Sequence, residues 1–249
     1  MVTTIGFDAD DTLWHNESLF ADVQEQFRRI LIRYHSPQWI DRELLETEHR
    51  NLEYFGYGAK GFALSMIETA ISLTEGRVTG SEVRQIIDAV KSMLQRPTDL
   101  LEGAWDVVTG LARSYRLLLI TKGDLFEQEA KIAHSGLVEH FHAIEILSEK
   151  DLGSYRRILA RHEVPPGEFL MVGNSLRSDI LPVVELGGYA AYVPYRLTWA
   201  HEVVHVPEPR RQFRELGHLR ELVDYLKLLG AENGDEAGSR ESLPPGHGP

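Results

Sequence analysis

Close to its start the chain reads Thr3-Thr4-Ile5-Gly6-Phe7-Asp8-Ala9-Asp10-Asp11-Thr12. Thr3 to Phe7 has the short apolar character of a buried strand, and it runs straight into the carboxylates of Asp8, Asp10 and Asp11. From about Glu17 the apolar spacing becomes helical, with Leu19, Phe20, Val23, Phe27, Ile30 and Leu31 on one face. Ser36-Pro37 reads as an N-cap followed by proline at the first helical position. A third helix is predicted over residues 62–73, with Met66, Ile67, Ala70 and Ile71 on one face and Gly76 beyond its end. A fourth begins at the capping box Thr79…Glu82 and turns Val83, Ile86, Ile87 and Val90 inward. Residues 15–97 therefore read as helical throughout.

Past that segment the pattern alternates. Strands are predicted at 117–121, 144–147, 169–172 and 189–193. Helices are predicted at 125–135, stopping at Gly136, at 155–162, and at 180–186, closed by Gly187-Gly188. Such alternation implies a doubly wound parallel sheet, and its continuous apolar strands suit a sheet covered on both faces. The expected organisation is an α/β core from residues 1–14 and 98–229, an inserted helical segment over 15–97, a closing helix at 218–229, and a disordered tail over 230–249. The tail is rich in Gly, Pro, Ser, Glu and Asp.

Composition narrows the function classes. A net charge of -12 argues against a non-specific nucleic-acid binder and against an anionic membrane surface. It leaves room for a small phosphorylated substrate, because a metal ion and a few local donors can outweigh the global charge. The absence of cysteine removes disulfides, zinc-thiolate sites and thiol nucleophiles. With no basic leader and no run of about 20 apolar residues, a soluble cytoplasmic protein is the expectation.

In parallel α/β sheets ligands gather beyond the carboxyl ends of the strands. Four polar signals fall there: Asp8 with Asp10, Thr121, Lys150, and Gly173-Asn174-Ser175 with Asp179. Carboxylates two residues apart can hold a hard cation, and one of them can act as a nucleophile. Taken singly, the acids read about equally as a capped turn, and Thr121 reads more readily as a strand-end cap, Lys150 as a solvated surface lysine and Gly-Asn-Ser as a turn. Their joint occurrence, in order, at the strand ends of one sheet is what points to a site.

That order resembles the haloacid dehalogenase-like hydrolase superfamily. Its Asp-x-Asp-x-Thr motif is matched by Asp8-Ala9-Asp10-Asp11-Thr12, and its strand-end Ser/Thr by Leu118-Leu119-Ile120-Thr121. Its lysine is matched by Lys150, and its Gly-Asp-Ser-x-x-x-Asp by Gly173-Asn174-Ser175-Leu176-Arg177-Ser178-Asp179. The resemblance implies a Rossmann-like core with a helical cap over 15–97. It implies that Asp8 attacks phosphorus, that Asp10 serves as acid and base, and that Thr121, Lys122 and Lys150 hold the phosphoryl group. It implies Mg²⁺ bound by Asp8, the Asp10 main-chain carbonyl, and Asn174 or Asp179. Asn174 departs from the family's Asp, so it would ligate without adding charge.

Two further stretches bear on function. His201-Glu202-Val203-Val204-His205 has the spacing of a zinc peptidase motif, but its valines and the prolines after it oppose the helix that chemistry needs. Residues 54–62 are a Gly-rich aromatic stretch that reads as a helix–helix loop or as a substrate-touching loop carrying Tyr57 or Lys60. The expected function is a Mg²⁺-dependent phosphohydrolase of a small phosphorylated metabolite. Alternatives are a phosphomutase, a 2-haloacid dehalogenase, or a non-catalytic binding protein on the same fold.

Overall fold

The structure, a computed structural model, describes residues 1–197 and 212–240. Six strands form one sheet in the order β3-β2-β1-β4-β5-β6. They are β1 Thr4–Phe7, β2 Arg116–Lys122, β3 Ala143–Leu147, β4 Phe169–Gly173, β5 Tyr189–Tyr192 and β6 Phe213–Glu215. Every neighbouring pair is parallel. β1 lies between β2 and β4, so the chain winds one way to β3 and the other way to β6. The crevice of such a sheet opens at this reversal, where the ends of β1, β2 and β4 stand side by side.

Successive strand residues point to opposite faces, and here both faces are buried. Ile5, Phe7, Leu117, Leu119, Leu170 and Val172 turn to one cluster. Leu118, Ile120, Phe169 and Met171 turn to the other, against Tyr155, Ile158 and Leu159. That is why these strands read as unbroken apolar runs. The helices of the core are α5 Ala104–Leu111, α6 Leu125–Ser135, α7 Leu152–Arg161, α8 Leu181–Glu185 and α9 Leu222–Arg240. α6 stops where Gly136 takes a left-handed φ of 73°, a conformation that favours glycine.

Between β1 and α5 the chain forms four helices: α1 Glu17–Leu31, α2 Pro37–Phe55, α3 Ala59–Leu73 and α4 Gly80–Leu94. They carry an apolar cluster of their own that includes Val23, Phe27, Leu31, Ile40, Met66, Ile86 and Val90. Ser36 caps α2 by accepting from Trp39 N. At α4, Thr79 and Glu82 make both bonds of a capping box.

Several elements differ from expectation. β6 and α5 were not anticipated, the first because three residues give no period and the second because eight residues give little more than two turns. The helix expected at 180–186 begins earlier, as a π-helical turn over Leu176–Ile180. α9 continues past Gly230 to Arg240, where a tail was expected.

Candidate active site

β1 delivers Asp8 to the end of the sheet. The Asp8 amide still donates to Val172 O at 2.9 Å, so the residue is held as if the strand continued. Its carboxylate is buried. Thr12 Oγ1 donates to Asp8 Oδ2 at 2.9 Å, and the buried ammonium of Lys150 bonds Asp8 Oδ1. Lys150 also reaches Asp179 Oδ1 at 2.7 Å, so one cation sits between two buried carboxylates. Burial pushes the Asp8 carboxyl up to about 7; Lys150 opposes this and Asp179 adds to it. Burial disfavours the Lys150 charge, yet Asp179 and Asp8 outweigh it and hold the ammonium more firmly protonated.

Asp179 is placed by Gly173. A Cβ there would lie 2.2 Å from Asp179 Oδ2, so only glycine admits this carboxylate. Asp179 Oδ2 accepts from Ser175 N at 3.0 Å. With Oδ1 on Lys150, Asp179 has both oxygens engaged in orienting the lysine and the loop.

Asp10 points another way. Trp14 Nε1 donates to Oδ1 at 2.7 Å and Gln128 Nε2 to Oδ2 at 2.8 Å. Lys131 Nζ is 2.8 Å from each oxygen. Asp11 takes a left-handed φ of 60°, and its carboxylate accepts from the amides of Asn16 and Glu17. That strained turn sets the chain's path from β1 into α1.

Thr121, next to last in β2, is buried, with no partner for its hydroxyl among the described residues, and it lines the same cavity as Asp8 and Lys150. Lys122 lines it too, with Nζ 2.9 Å from Ser178 Oγ and 4.2 Å from the centre of the Tyr57 ring. Tyr57 donates to Glu149 Oε2 at 2.6 Å. The 54–62 stretch is thus a helix–helix turn and a cavity wall at once. Lys60 stands apart: it is exposed, pairs with Asp124 at 2.8 Å, and does not line the cavity. The His201…His205 stretch lies outside the described residues.

The Mg²⁺ that the sequence resemblance implies would meet three oxygen-bearing groups at the sheet end. One end of the Asn174 side-chain amide lies 3.1 Å from Asp8 Oδ2 and 3.3 Å from the Asp10 main-chain oxygen. If that end is nitrogen, it donates to both. If it is oxygen, it stands off each of the other two oxygens at nearly the spacing of an edge of an Mg²⁺ octahedron, about 3.0 Å for bonds of about 2.1 Å. All three are hard oxygen donors, so the residues fit Mg²⁺. The expectation that Asp179 shares the ligation meets its two engaged oxygens. Among the described residues no group of three or more Asp, Glu or His side chains forms a metal cluster.

Gln128, Lys131, Trp14 and Glu17 were missed in the sequence. Gln128 and Lys131 share one face of α6 with Glu127, at helical spacing, so a polar stripe beside a strand end was the available signal. Glu17 lines the cavity without a side-chain partner among the described residues, and burial, then Asp10, raises its carboxyl to about 7. A carboxyl raised in the folded state holds its proton more tightly there than in the unfolded chain, where 4.5 is the ordinary value. Its stabilising share is therefore present at low pH and lost as pH rises to about 7. Glu17→Gln should melt progressively higher than wild type as pH goes from 5 to 8. Melting curves that stay parallel across that range would refute the burial argument.

A strand-end carboxylate held by a buried lysine, with a second carboxylate two residues on, matches the pattern already named, and so does the family model. The model for "haloacid dehalogenase-like hydrolase" matches residues 2–187. The chain belongs to the haloacid dehalogenase-like hydrolases. A hydrolase of this family from Xanthomonas campestris is 40% identical, with 94% of each chain covered and a TM-score of 0.84. The magnesium-bound YfnB hydrolase from Bacillus subtilis is 17% identical over 90% of this chain and 98% of its own, with a TM-score of 0.64. The L-2-haloacid dehalogenase from Xanthobacter autotrophicus is 20% identical over 78% of both chains, with a TM-score of 0.55. The latter two likenesses are of fold. Curated proteins gave no match. No helix among the described residues is long and apolar enough to cross a membrane.

Proposed function

We propose that this haloacid dehalogenase-like hydrolase is a Mg²⁺-dependent phosphohydrolase acting on a small phosphorylated metabolite. The observation that carries the reading is the meeting of Asp8 Oδ2, the Asp10 carbonyl and the Asn174 amide at 3.1–3.3 Å, beside a nucleophile-ready carboxylate. Bound Mg²⁺ would offset the repulsion between an anionic nucleophile and an anionic substrate.

The chain's own groups supply the rest. The Asp8 carboxylate attacks phosphorus as the bond to the alcohol oxygen breaks, giving an aspartyl-phosphate. Thr121 and Lys122 face the cavity where phosphoryl oxygens would lie, and Lys150 balances charge at Asp8. Water then attacks phosphorus as the bond to the Asp8 oxygen breaks, which releases inorganic phosphate and restores the Asp8 carboxylate, with Asp10 accepting the water's proton. Trp14, Gln128 and Lys131 fix the Asp10 carboxyl through donors to both of its oxygens. To act earlier as the acid toward the leaving alcohol, it must take up a proton and part from Lys131.

Asp10 also favours this reading over haloacid dehalogenation, which in the family proceeds without that second aspartate. A phosphomutase would use the same first step with a different acceptor. The test is turnover of p-nitrophenyl phosphate: activity should vanish in EDTA and return with Mg²⁺. Asp10→Asn should fall by about 10²–10⁴-fold. Full activity in EDTA, or chloride release from 2-chloropropionate without phosphatase activity, would overturn the proposal.

Asn174 yields a separate expectation. Asn174→Asp adds a charge to the donor set and should tighten Mg²⁺ about tenfold or more. In EDTA three acceptors would face one another, so the variant should melt below wild type and gain more from added Mg²⁺. Equal Mg²⁺-dependent melting shifts in the two proteins would remove Asn174 from the metal site.

A further inference from the structure

The far wall of the cavity, built by α1–α3, differs in chemistry from the sheet end. Asn51 on α2 is buried and lines the cavity. Its Nδ2 donates to Ser65 Oγ at 3.1 Å and to Glu68 Oε2 at 2.9 Å. Ser65 has already given its own proton to Gly61 O at 2.9 Å, so it can only accept, and the orientation of the amide is settled. Both Asn51 hydrogens are spent, and Oδ1 has no partner among the described residues. Gln24 on α1 repeats the pattern. Its Nε2 donates to Asp41 Oδ1 at 2.9 Å, which leaves Oε1 unpartnered among the described residues. Glu17 and Glu48 add carboxylates to the same wall.

Asn51, Gln24, Glu17 and Glu48 therefore offer oxygen acceptors on this wall. The ammonium groups that line the cavity, Lys122 and Lys150, belong to the sheet end. Between the two, Phe20 and Phe62, with ring centres 5.1 Å apart, supply an apolar surface.

We infer that the substrate is a phosphomonoester whose alcohol portion is rich in hydrogen-bond donors, hydroxyl or ammonium, and carries no second anionic group. The inference rests on the phosphohydrolase reading and narrows it. Asn51 Oδ1, on a residue that lines the cavity, can accept a hydrogen bond from a ligand donor and can offer none to an anion. A carboxylate or second phosphate placed beside Asn51 and Gln24 would face their acceptor oxygens and the Glu17 and Glu48 carboxylates, which is the repulsive element that specificity requires.

Two matched series test this. One is ethanolamine phosphate, ethylene glycol monophosphate and phosphoglycolate; the other is glucosamine 6-phosphate, glucose 6-phosphate and 6-phosphogluconate. In the first series only the group away from the phosphate changes; the second lengthens the alcohol portion, with the amine at C2 of the ring and the carboxylate at C1 of an opened chain. The carboxylate member of each series should have kcat/KM at least about tenfold below its hydroxyl and ammonium partners. The ammonium and hydroxyl arms tell which donor the wall prefers. Gln24→Met, which removes one acceptor, should shrink the hydroxyl-over-carboxylate ratio about threefold or more; a ratio within one protein is insensitive to the folded fraction.

The same compounds should raise the melting temperature of the Asp8→Asn protein in the same order, a readout that needs no turnover. Carboxylate members that match or exceed the others overturn the inference while p-nitrophenyl phosphate turnover leaves the phosphohydrolase reading standing. Loss of that turnover with the binding order intact does the reverse. Failure of every donor-bearing member to be turned over or bound also overturns the inference.

Discussion

Asp8→Asn should lower phosphatase turnover by about 10³-fold or more while the protein stays folded. The side chain keeps its shape and loses the electron pair that attacks phosphorus. The effect on stability has a definite sign. In the folded state burial raises the Asp8 carboxyl to about 7 from an ordinary value of 3.8, so the chain folds at a cost once pH is high enough to ionise it. That cost is absent below about 4 and complete above about 7. The asparagine variant is free of it, and Lys150 retains Asp179 as its partner. At pH 8 in EDTA the variant should melt at or above the wild-type temperature. Beryllium fluoride with Mg²⁺ should protect the wild type and not the variant. Turnover near wild type would leave Asp8 as a ligand or turn residue and end the covalent mechanism.

The second large effect concerns Lys150. It bonds Asp8 and Asp179 within the fold, and no other cation contacts that pair of carboxylates among the described residues. Lys150→Met removes the charge and leaves two buried acids facing each other. Deleting one member of a buried charge group costs about 3–5 kcal/mol, which for a chain of this size is a melting shift of roughly 10 °C. Activity should collapse as well, because Asp8 loses the cation that keeps it ionised. The double variant Asp8→Asn with Lys150→Met should recover part of the lost stability, since the repulsion then has one member. Additive losses in the double variant, or a Lys150→Met protein as stable as wild type, would show that the lysine is not the counter-charge.

Mg²⁺ would partly replace the missing charge in Lys150→Met by drawing on Asp8. Its melting temperature should therefore respond to Mg²⁺ more than that of the wild type does. This keeps the lysine's electrostatic role distinct from mere space filling, which Met would satisfy.

Much of the site was legible because β1, β2 and β4 are buried on both faces. Their apolar runs located the strand ends, and Asp8, Thr121 and Gly173 stand at those ends. Lys150 was legible only by its place in the motif order; nothing in Ser148-Glu149-Lys150 shows that its ammonium lies between two buried acids. Lys60 was misjudged. In sequence it sits beside glycines and aromatics like a substrate-touching residue, but it faces outward to Asp124. Gln128 and Lys131 went unseen because a polar stripe on a helix ordinarily faces water, and only the packing of α6 turns it onto Asp10.

The sequence by itself determined what depends on neighbours along the chain. Apolar period sets which segments become strands and helices, caps such as Ser36 and the Thr79–Glu82 box set where helices begin, and the strand-first order of motifs sets the parallel doubly wound core. Tertiary structure decided what depends on distance between remote residues. Asp8 meets Asn174 and Lys150 across the sheet end, Asp10 is claimed by α6, and Asn51 has both its amide hydrogens taken by α3. The charge state of a carboxyl and the free valence of an amide follow from burial and partners, and those exist only once the helices from 17 to 94 and the strands from 116 to 192 have folded into one molecule.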